Sequence, residues 1–304
     1  MPRSASSAKT VVFRAGAKSV TISNYDKVLW PADGYTKGDL VEYYRAVAKW
    51  LLPYIEGRPL SLERFPNGVN KPGFFEKNAP AGIPDWVETV TLESDGKRSH
   101  IRYVVCEDVP TLVYLANLAA ITLHAFMSRR GSLDEPDFIL FDLDRGDGCP
   151  VKSLATVAVV IADELRKRRM RALPKTSGGS GLHLFAWVRG RWSYEKARAF
   201  CNEVALAAQA RLPKLVTLER SIAKRPRGRV YVDWAQMGKG RTVVMPFAVR
   251  ARRGAPVSMP LPWSAVRAML RSDELDTARY FARWNVGNVP GILRRSGDAW
   301  KRRT

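Results

Sequence analysis

Residues 138–148 read FILFDLDRGDG. Five of the first six side chains are large and apolar, and the run then presents Asp142 and Asp144 just before a Gly- and Asp-rich break. A short apolar run bounded by turn residues reads as a buried strand. A carboxylate at its end is costly unless it is paired, hydrogen-bonded or bound to a cation. In a strand, residues i and i+2 face one side, about 7 Å apart. Acids so placed can share a divalent ion, or bracket two ions roughly 4 Å apart. Mg²⁺ and Mn²⁺ prefer such oxygen ligands. The same pattern also fits a strand end whose acids merely meet solvent, so the rest of the chain has to decide.

A second stretch, RVYVDWAQ (229–236), alternates like a strand, with Val230 and Val232 on one side and Tyr231 and Asp233 on the other. Asp233 is therefore a third candidate carboxylate, or else a salt-bridge partner for the cations around it. Between the two acidic strands lies KTSGGSGLHLFAWV (175–188), a glycine loop running into a strand. Its amides could form a phosphate-binding nest. It is not a Walker loop, because G-K-[ST] is missing and a strand follows. His183 enters that strand where it could reach a phosphate, and His124 is another of only three histidines.

The chain has 304 residues, 46% of them hydrophobic, enough for a substantial core and against wholesale disorder. Lys and Arg number 50 against 29 Asp and Glu, a formal charge of +21 that points to a polyanion, nucleic acid before membrane. Cys106, Cys149 and Cys201 are widely spaced with no CxxC pair, which argues against a disulfide framework and against a zinc site and fits a reducing, cytoplasmic setting. The first ten residues lack the apolar core of a secretory signal. The uncharged run 109–129 holds Pro110, Asn117, Thr122 and His124, and reads as a buried helix over about 109–125 rather than a membrane span.

Elsewhere, Thr36 and Asp39 form a capping-box-like start to a helix carrying Leu40, Tyr44, Val47, Leu51 and Ile55, with Gly57 at its end. Strands are expected at 61–65 and 100–105, and helices near 154–169 and 194–211. A strand broken by a proline is expected at 242–252, and two short helices within 263–284. Residues 66–85 read as a loop in which Phe74 and Phe75 sit between Lys71 and Lys77, a possible base-stacking platform. Lys27, Lys37, Arg64, Arg250, Arg252 and Arg253 are further phosphate-contact candidates. Strands and helices mix without a βαβ cadence, so the fold class is α+β.

FDLD, KTSGGSGLH and VYVDWAQ, in that order, resemble the three signature motifs of the archaeo-eukaryotic primase superfamily. More closely, the chain resembles the polymerase domain of bacterial ligase D. SNYDKVLWPADGYTKGDLVEYY, RFPNGVNKPGFFEKNAP and PFAVRARRGAPVSMPL extend the likeness over about residues 20–290. The resemblance implies a primase-like core of mixed sheets flanked by helices, with an RRM-like catalytic module.

It implies Asp142, Asp144 and Asp233 as metal-binding catalytic carboxylates. Arg64, His124, Ser177, Gly178, His183, Gln236 and Arg250 would hold an incoming NTP or dNTP. Lys27 and Lys37 would grip a 5′-phosphate, and Phe74 and Phe75 would stack near the template break. Two ions, Mn²⁺ or Mg²⁺, a preference for ribonucleotides, gapped or overhanging 5′-phosphorylated DNA ends, a Ku-type end-binding protein and a DNA ligase complete the implied setting, with no membrane.

Expected boundaries are a loose, flexible basic arm (1–18), a catalytic domain (19–290) and a basic tail (291–304). Within the domain, an α/β part covers about 19–135, the RRM-like part 136–260 and helices 261–290. Two departures stand out: Ser180 where many relatives carry Lys, and HAFMSR (124–129) in place of an HPW-like pattern. A non-catalytic DNA-end-bridging protein and a Mn²⁺-dependent D-x-D glycosyltransferase are the competing readings; the second leaves the charge and Asp233 unexplained.

Overall fold

The computed structural model describes residues 9–93 and 100–301. In chain order its strands and helices begin with β1 (Val11–Ala15), β2 (Lys18–Ile22), β3 (Val28–Trp30), β4 (Tyr35–Thr36) and α1 (Lys37–Ile55). Then come β5 (Pro59–Arg64), β6 (Phe74–Glu76), β7 (Thr89–Glu93), β8 (His100–Val105), α2 (Val109–Asn117) and β9 (Ala120–Phe126). The central part is β10 (Phe138–Arg145), α3 (Val151–Lys167), β11 (Leu173–Thr176), β12 (Leu182–Trp187), α4 (Tyr194–Arg211), β13 (Val216–Thr217) and β14 (Val230–Asp233). The chain closes with β15 (Thr242–Val244), α5 (Trp263–Met269), α6 (Thr277–Phe281) and α7 (Val289–Ser296).

Two sheets organise the molecule. One has the order β11-β12-β10-β14-β13, antiparallel except for the β13–β14 pair. The other runs β15-β9-β5-β8-β7, with β6 also paired to β5. FILF is continuously apolar because β10 is buried on both faces. Ile139, Phe141 and Leu143 point to the side covered by α3 and α4, while Phe138 stacks on Phe185 at 4.6 Å on the opposite side. The mixture of helices and sheets is the expected α+β architecture.

Local chemistry sets several ends. The Thr36 side chain accepts from the Asp39 amide, and Asp39 accepts in return from the Thr36 amide at 2.7 Å, closing the expected capping box on α1. Gly57, at φ +71°, follows the helix end.

Several sequence expectations need correction. The run 109–125 is not one helix. It forms α2 up to Asn117, turns at Ala119 with φ +54°, and continues as β9. Both pieces are buried, so apolar content hides the change from helical to strand period. Residues 11–18 are not loose: β1 and β2 pair through a turn at Gly16, φ +57°. Residues 1–8 of the expected arm lie outside the described residues.

The expected tail is folded as far as residue 301, with α7 over 289–296 and both Asp298 and Trp300 buried. Phe74 and Phe75 lie on the short strand β6 rather than in a loop. Of 242–252 only β15 is a strand, because Pro246 and then Phe247, at φ +65°, turn the chain away. No helix among the described residues is long and apolar enough to cross a membrane.

Candidate active site

The register of the first sheet assembles a polar row. Lys175 pairs with His183, His183 with Asp142, and Asp142 with Asp233, across β11, β12, β10 and β14. Register partners share a face. Asp144, two residues beyond Asp142, faces the same way and pairs with Tyr231. Three acids separated by up to 91 positions in sequence thus reach one surface through strand pairing alone.

Their electrostatics are uneven. Burial opposes ionising Asp142, but the His183 imidazole, with Lys175 and Arg250, outweighs it and holds the carboxyl below its usual value. Asp142 Oδ1 lies 3.2 Å from His183 Nε2. Asp144 behaves oppositely. Burial, followed by repulsion from Asp142 and Asp233, pushes it up to about 7, with Arg225 at 3.9 Å acting against them. Arg225 thus serves Asp144, not Asp233. Burial and the nearby Lys175 push His183 down to about 4. Lys175 is fully buried, donates to Ser258 Oγ, and is itself driven well below the usual lysine value by burial.

A divalent cation fits this donor set. Asp142 Oδ1 and Asp233 Oδ1 are both buried without a hydrogen-bond partner, on register partners, beside Asp144, whose carboxyl is pushed up by burial and then by its acidic neighbours. Buried orphan acceptors of this kind call for a ligand, water or ion. The three acids share a face without closing on one point: among the described residues no three His, Cys, Asp or Glu side chains form an assembled metal cluster.

A cavity of about 180 Å³ opens over this face, walled by β9, β12, the glycine loop and the 242–252 segment. Ser177 Oγ accepts from the amides of Gly179 and Gly181, both at 3.1 Å, and so shapes the loop. Gly178, at φ +72°, could not carry a side chain, since its Cβ would fall 2.4 Å from Arg250 Cγ. Arg250 is half-buried, and its Nε is buried and unpartnered. His124, Gln236 and Ser180 complete the walls, and Gln236 Nε2 donates to the Thr242 carbonyl at 3.1 Å.

Five of the seven sequence-derived nucleotide residues, His124, Ser177, His183, Gln236 and Arg250, line this cavity, whereas Gly178 lines the neighbouring cleft. Arg64 does not line the cavity; its guanidinium is held by the Leu118 carbonyl at 2.9 Å and by Glu76 at 2.7 Å. Phe74 and Phe75 are exposed, at 47% and 60%, and Phe75 packs edge-on to His124 with centroids 5.5 Å apart. Lys37 and Lys27 lie together, the Lys37 amide donating to the Lys27 carbonyl at 2.8 Å. Lys37 is buried, its Nζ on the Ser23 carbonyl at 2.7 Å, and burial with the Lys27 charge lowers its pKa.

Sequence reasoning missed Glu63. It lies 3.7 Å from His124 Nε2, with Oε2 buried and unpartnered, on the cavity side of β5. The signal lay in cross-strand register, which spacing along one segment does not carry.

The model of the LigD primase-polymerase domain matches residues 36–300 of this sequence. The chain belongs to that family. The polymerase domain of Mycobacterium tuberculosis ligase D, solved in complex with DNA, superposes with a TM-score of 0.84 at 32% identity, covering 93% of this chain and 97% of that one. The multifunctional non-homologous end joining DNA repair protein LigD of M. tuberculosis H37Rv is 34% identical over 258 residues, 82% of this chain and 34% of that protein. The bifunctional non-homologous end joining protein LigD of Bacillus subtilis is 32% identical over 257 residues, 82% of this chain and 39% of that protein. The chain therefore spans little more than a third of the curated LigD relatives it matches.

Proposed function

We propose that the chain is a template-directed nucleotidyltransferase that extends primers and fills gaps at DNA ends during end joining, with ribonucleotides preferred. The observation that carries the reading is the polar row Lys175–His183–Asp142–Asp233, with Asp144 alongside, facing a cavity lined by the glycine loop and Arg250.

Nucleotidyl transfer forms a bond from the primer 3′-oxygen to the α-phosphorus and breaks the bond to pyrophosphate. Little is needed beyond alignment and charge neutralisation. Asp142, Asp144 and Asp233 would hold divalent ions, Mn²⁺ or Mg²⁺, which when bound supply the positive charge that activates the 3′-hydroxyl and stabilises the leaving group. The chain's own groups do the rest. Ser177, Gly178 and Arg250 cradle the triphosphate, and His124 and His183 flank it. Gln236 lies beside the nucleotide. His183 also orients Asp142 through their 3.2 Å contact.

Lys27 and Lys37 take a 5′-phosphate, and Phe74 and Phe75 stack at the template break. The +21 charge supplies the non-specific DNA attraction. A Ku-type protein and a DNA ligase are the partners this role implies. Primer extension on a gapped, 5′-phosphorylated template, with each NTP and dNTP and with Mn²⁺ or Mg²⁺, tests the reading. Templated addition, faster with ribonucleotides, is the expected result. DNA binding without incorporation would replace it with an end-bridging role.

A further inference from the structure

Behind the glycine loop lies a larger cleft, about 840 Å³, bounded by the loop, residues 252–256 and the start of α6. Gly179 and Arg252 line both this cleft and the smaller nucleotide cavity. The partition between them is the backbone of Gly178 and Gly179, with no side chain to thicken it. A Cβ on Gly179 would lie 3.3 Å from Arg252 Nε, and one on Gly178 would collide with Arg250. The Arg252 carbonyl accepts from Trp30 Nε1 at 3.0 Å, which anchors the backbone that carries this arginine.

Arg252, Arg253 and Arg279 border the cleft with no ion-pair or hydrogen-bond partner for their guanidinium groups among the described residues. Two acids lie at the rim, but each already serves a backbone amide. Asp33 Oδ2 accepts from Gly254 at 2.8 Å, and Asp276 Oδ1 accepts from Arg279 N at 2.9 Å. Three unpartnered guanidinium forks around a glycine floor suit a compact polyanion that can be held bidentately. The two rim carboxylates make a poor track for an extended nucleic-acid strand.

We propose that this cleft receives inorganic pyrophosphate, the leaving group of the transfer. The inference rests on the polymerase reading. When the 3′-oxygen bonds to the α-phosphorus, the electron pair of the broken bond leaves with pyrophosphate, and the 3′-hydroxyl proton passes to solvent. The leaving group then lies against the glycine loop. Arg252, present on both sides of that wall, hands it from the nucleotide cavity to Arg253 and Arg279.

The test uses inorganic pyrophosphate alone, titrated calorimetrically into the full chain and into R253A/R279A. Both arginines are exposed and outside the nucleotide cavity, so the fold and ATP affinity serve as controls. A loss of pyrophosphate affinity of tenfold or more, with ATP affinity within twofold, is expected. In extension assays the variant should need correspondingly more pyrophosphate for half-inhibition.

Unchanged pyrophosphate affinity, no binding by the wild type, or a parallel loss of ATP affinity overturns the proposal. So does a short single-stranded oligonucleotide that displaces pyrophosphate and loses the same affinity in the variant, which would make the cleft a nucleic-acid groove. A wild type that binds pyrophosphate but extends no primer under any nucleotide would instead defeat the polymerase reading and leave the anion site standing.

Discussion

Asp142 and Asp233 are direct register partners on antiparallel neighbours, and each keeps one buried carboxylate oxygen that no hydrogen bond satisfies. With Asp144 on the same face, the site gathers like charges where burial makes them expensive, a local conflict of the kind folds retain for function. Asp142→Asn, Asp144→Asn and Asp233→Asn should each reduce primer extension to background while leaving DNA affinity within about twofold. Asp144→Asn should also melt higher than the wild type in chelator, because it removes the most strongly repelled carboxylate. About 1 kcal/mol moves the melting point of a domain this size by roughly 2–4 °C. Normal extension by the Asp144 variant would remove that residue from the reaction.

Trp300 locks the end of the described chain onto the first sheet. Its Nε1 donates to the Pro174 carbonyl at 2.8 Å, its ring meets Tyr54 edge-on at 5.6 Å, and only 5% of it is exposed. Asp298 beside it accepts from the Tyr54 hydroxyl at 2.5 Å. Trp300→Ala should cost about 3–5 kcal/mol, the usual range for a buried tryptophan, read as a lower urea midpoint. A change below about 0.5 kcal/mol would mean that this segment is merely laid on the surface.

Which parts of this were readable in the sequence depended on whether the signal was local. The acidic strand β10, the alternation of β14 and the limits of α4 were plain, because period and end residues agreed there. The α2–β9 junction was not, since nothing but the backbone of Ala119 marks it and both neighbours are apolar. The N-terminal hairpin was hidden by the shortness of its strands, five residues each, and the anchoring of Trp300 by partners more than a hundred positions away. In the site, the acids, the glycine loop and the histidines were legible as residue types. That Arg64 is occupied by Glu76, that Arg225 faces Asp144 and that Glu63 sits beside His124 are facts of tertiary packing.

Glu164 joins α3 to α4. It accepts from Lys167 at 2.7 Å, and from Arg168 and Arg211 at 3.0 Å each, and these bonds, Lys167 first, pull its pKa down to about 2. A carboxylate depressed in the folded state stabilises above its unfolded pKa, about 4.3, and loses that contribution as pH falls towards the folded value. Glu164→Gln should therefore melt below the wild type at neutral pH, and the gap should narrow as pH drops from about 5 to about 3. A gap independent of pH would place the effect in packing rather than charge.

Ser180 lines the cavity proposed to take the nucleotide, together with Arg250 and Arg252. A lysine there would add an ammonium facing the same phosphates. Ser180→Lys should tighten ATP binding by about tenfold, equivalent to ~1.4 kcal/mol, with the turnover rate little changed. Weaker binding would show that the two arginines already saturate the charge the ligand brings, or that the phosphates lie elsewhere.

Lys27 and Lys37 form the remaining basic pair, joined through the backbone bond between them, with Lys37 pinned by Ser23 and Asn117. An ammonium held in place by two fixed acceptors is suited to one fixed phosphate, whereas the exposed cations elsewhere give only salt-sensitive attraction. The wild type should bind a recessed DNA end carrying a 5′-phosphate more tightly than the same end with a 5′-hydroxyl. Lys37→Ala should abolish that difference, and Lys27→Ala, an exposed and structurally mild change, should reduce it. Binding to duplex without ends should fall only slightly in either variant, with fluorescence anisotropy at two salt concentrations as the measurement. Equal losses on phosphorylated and unphosphorylated ends would make the pair part of the general basic surface and leave end recognition to other residues.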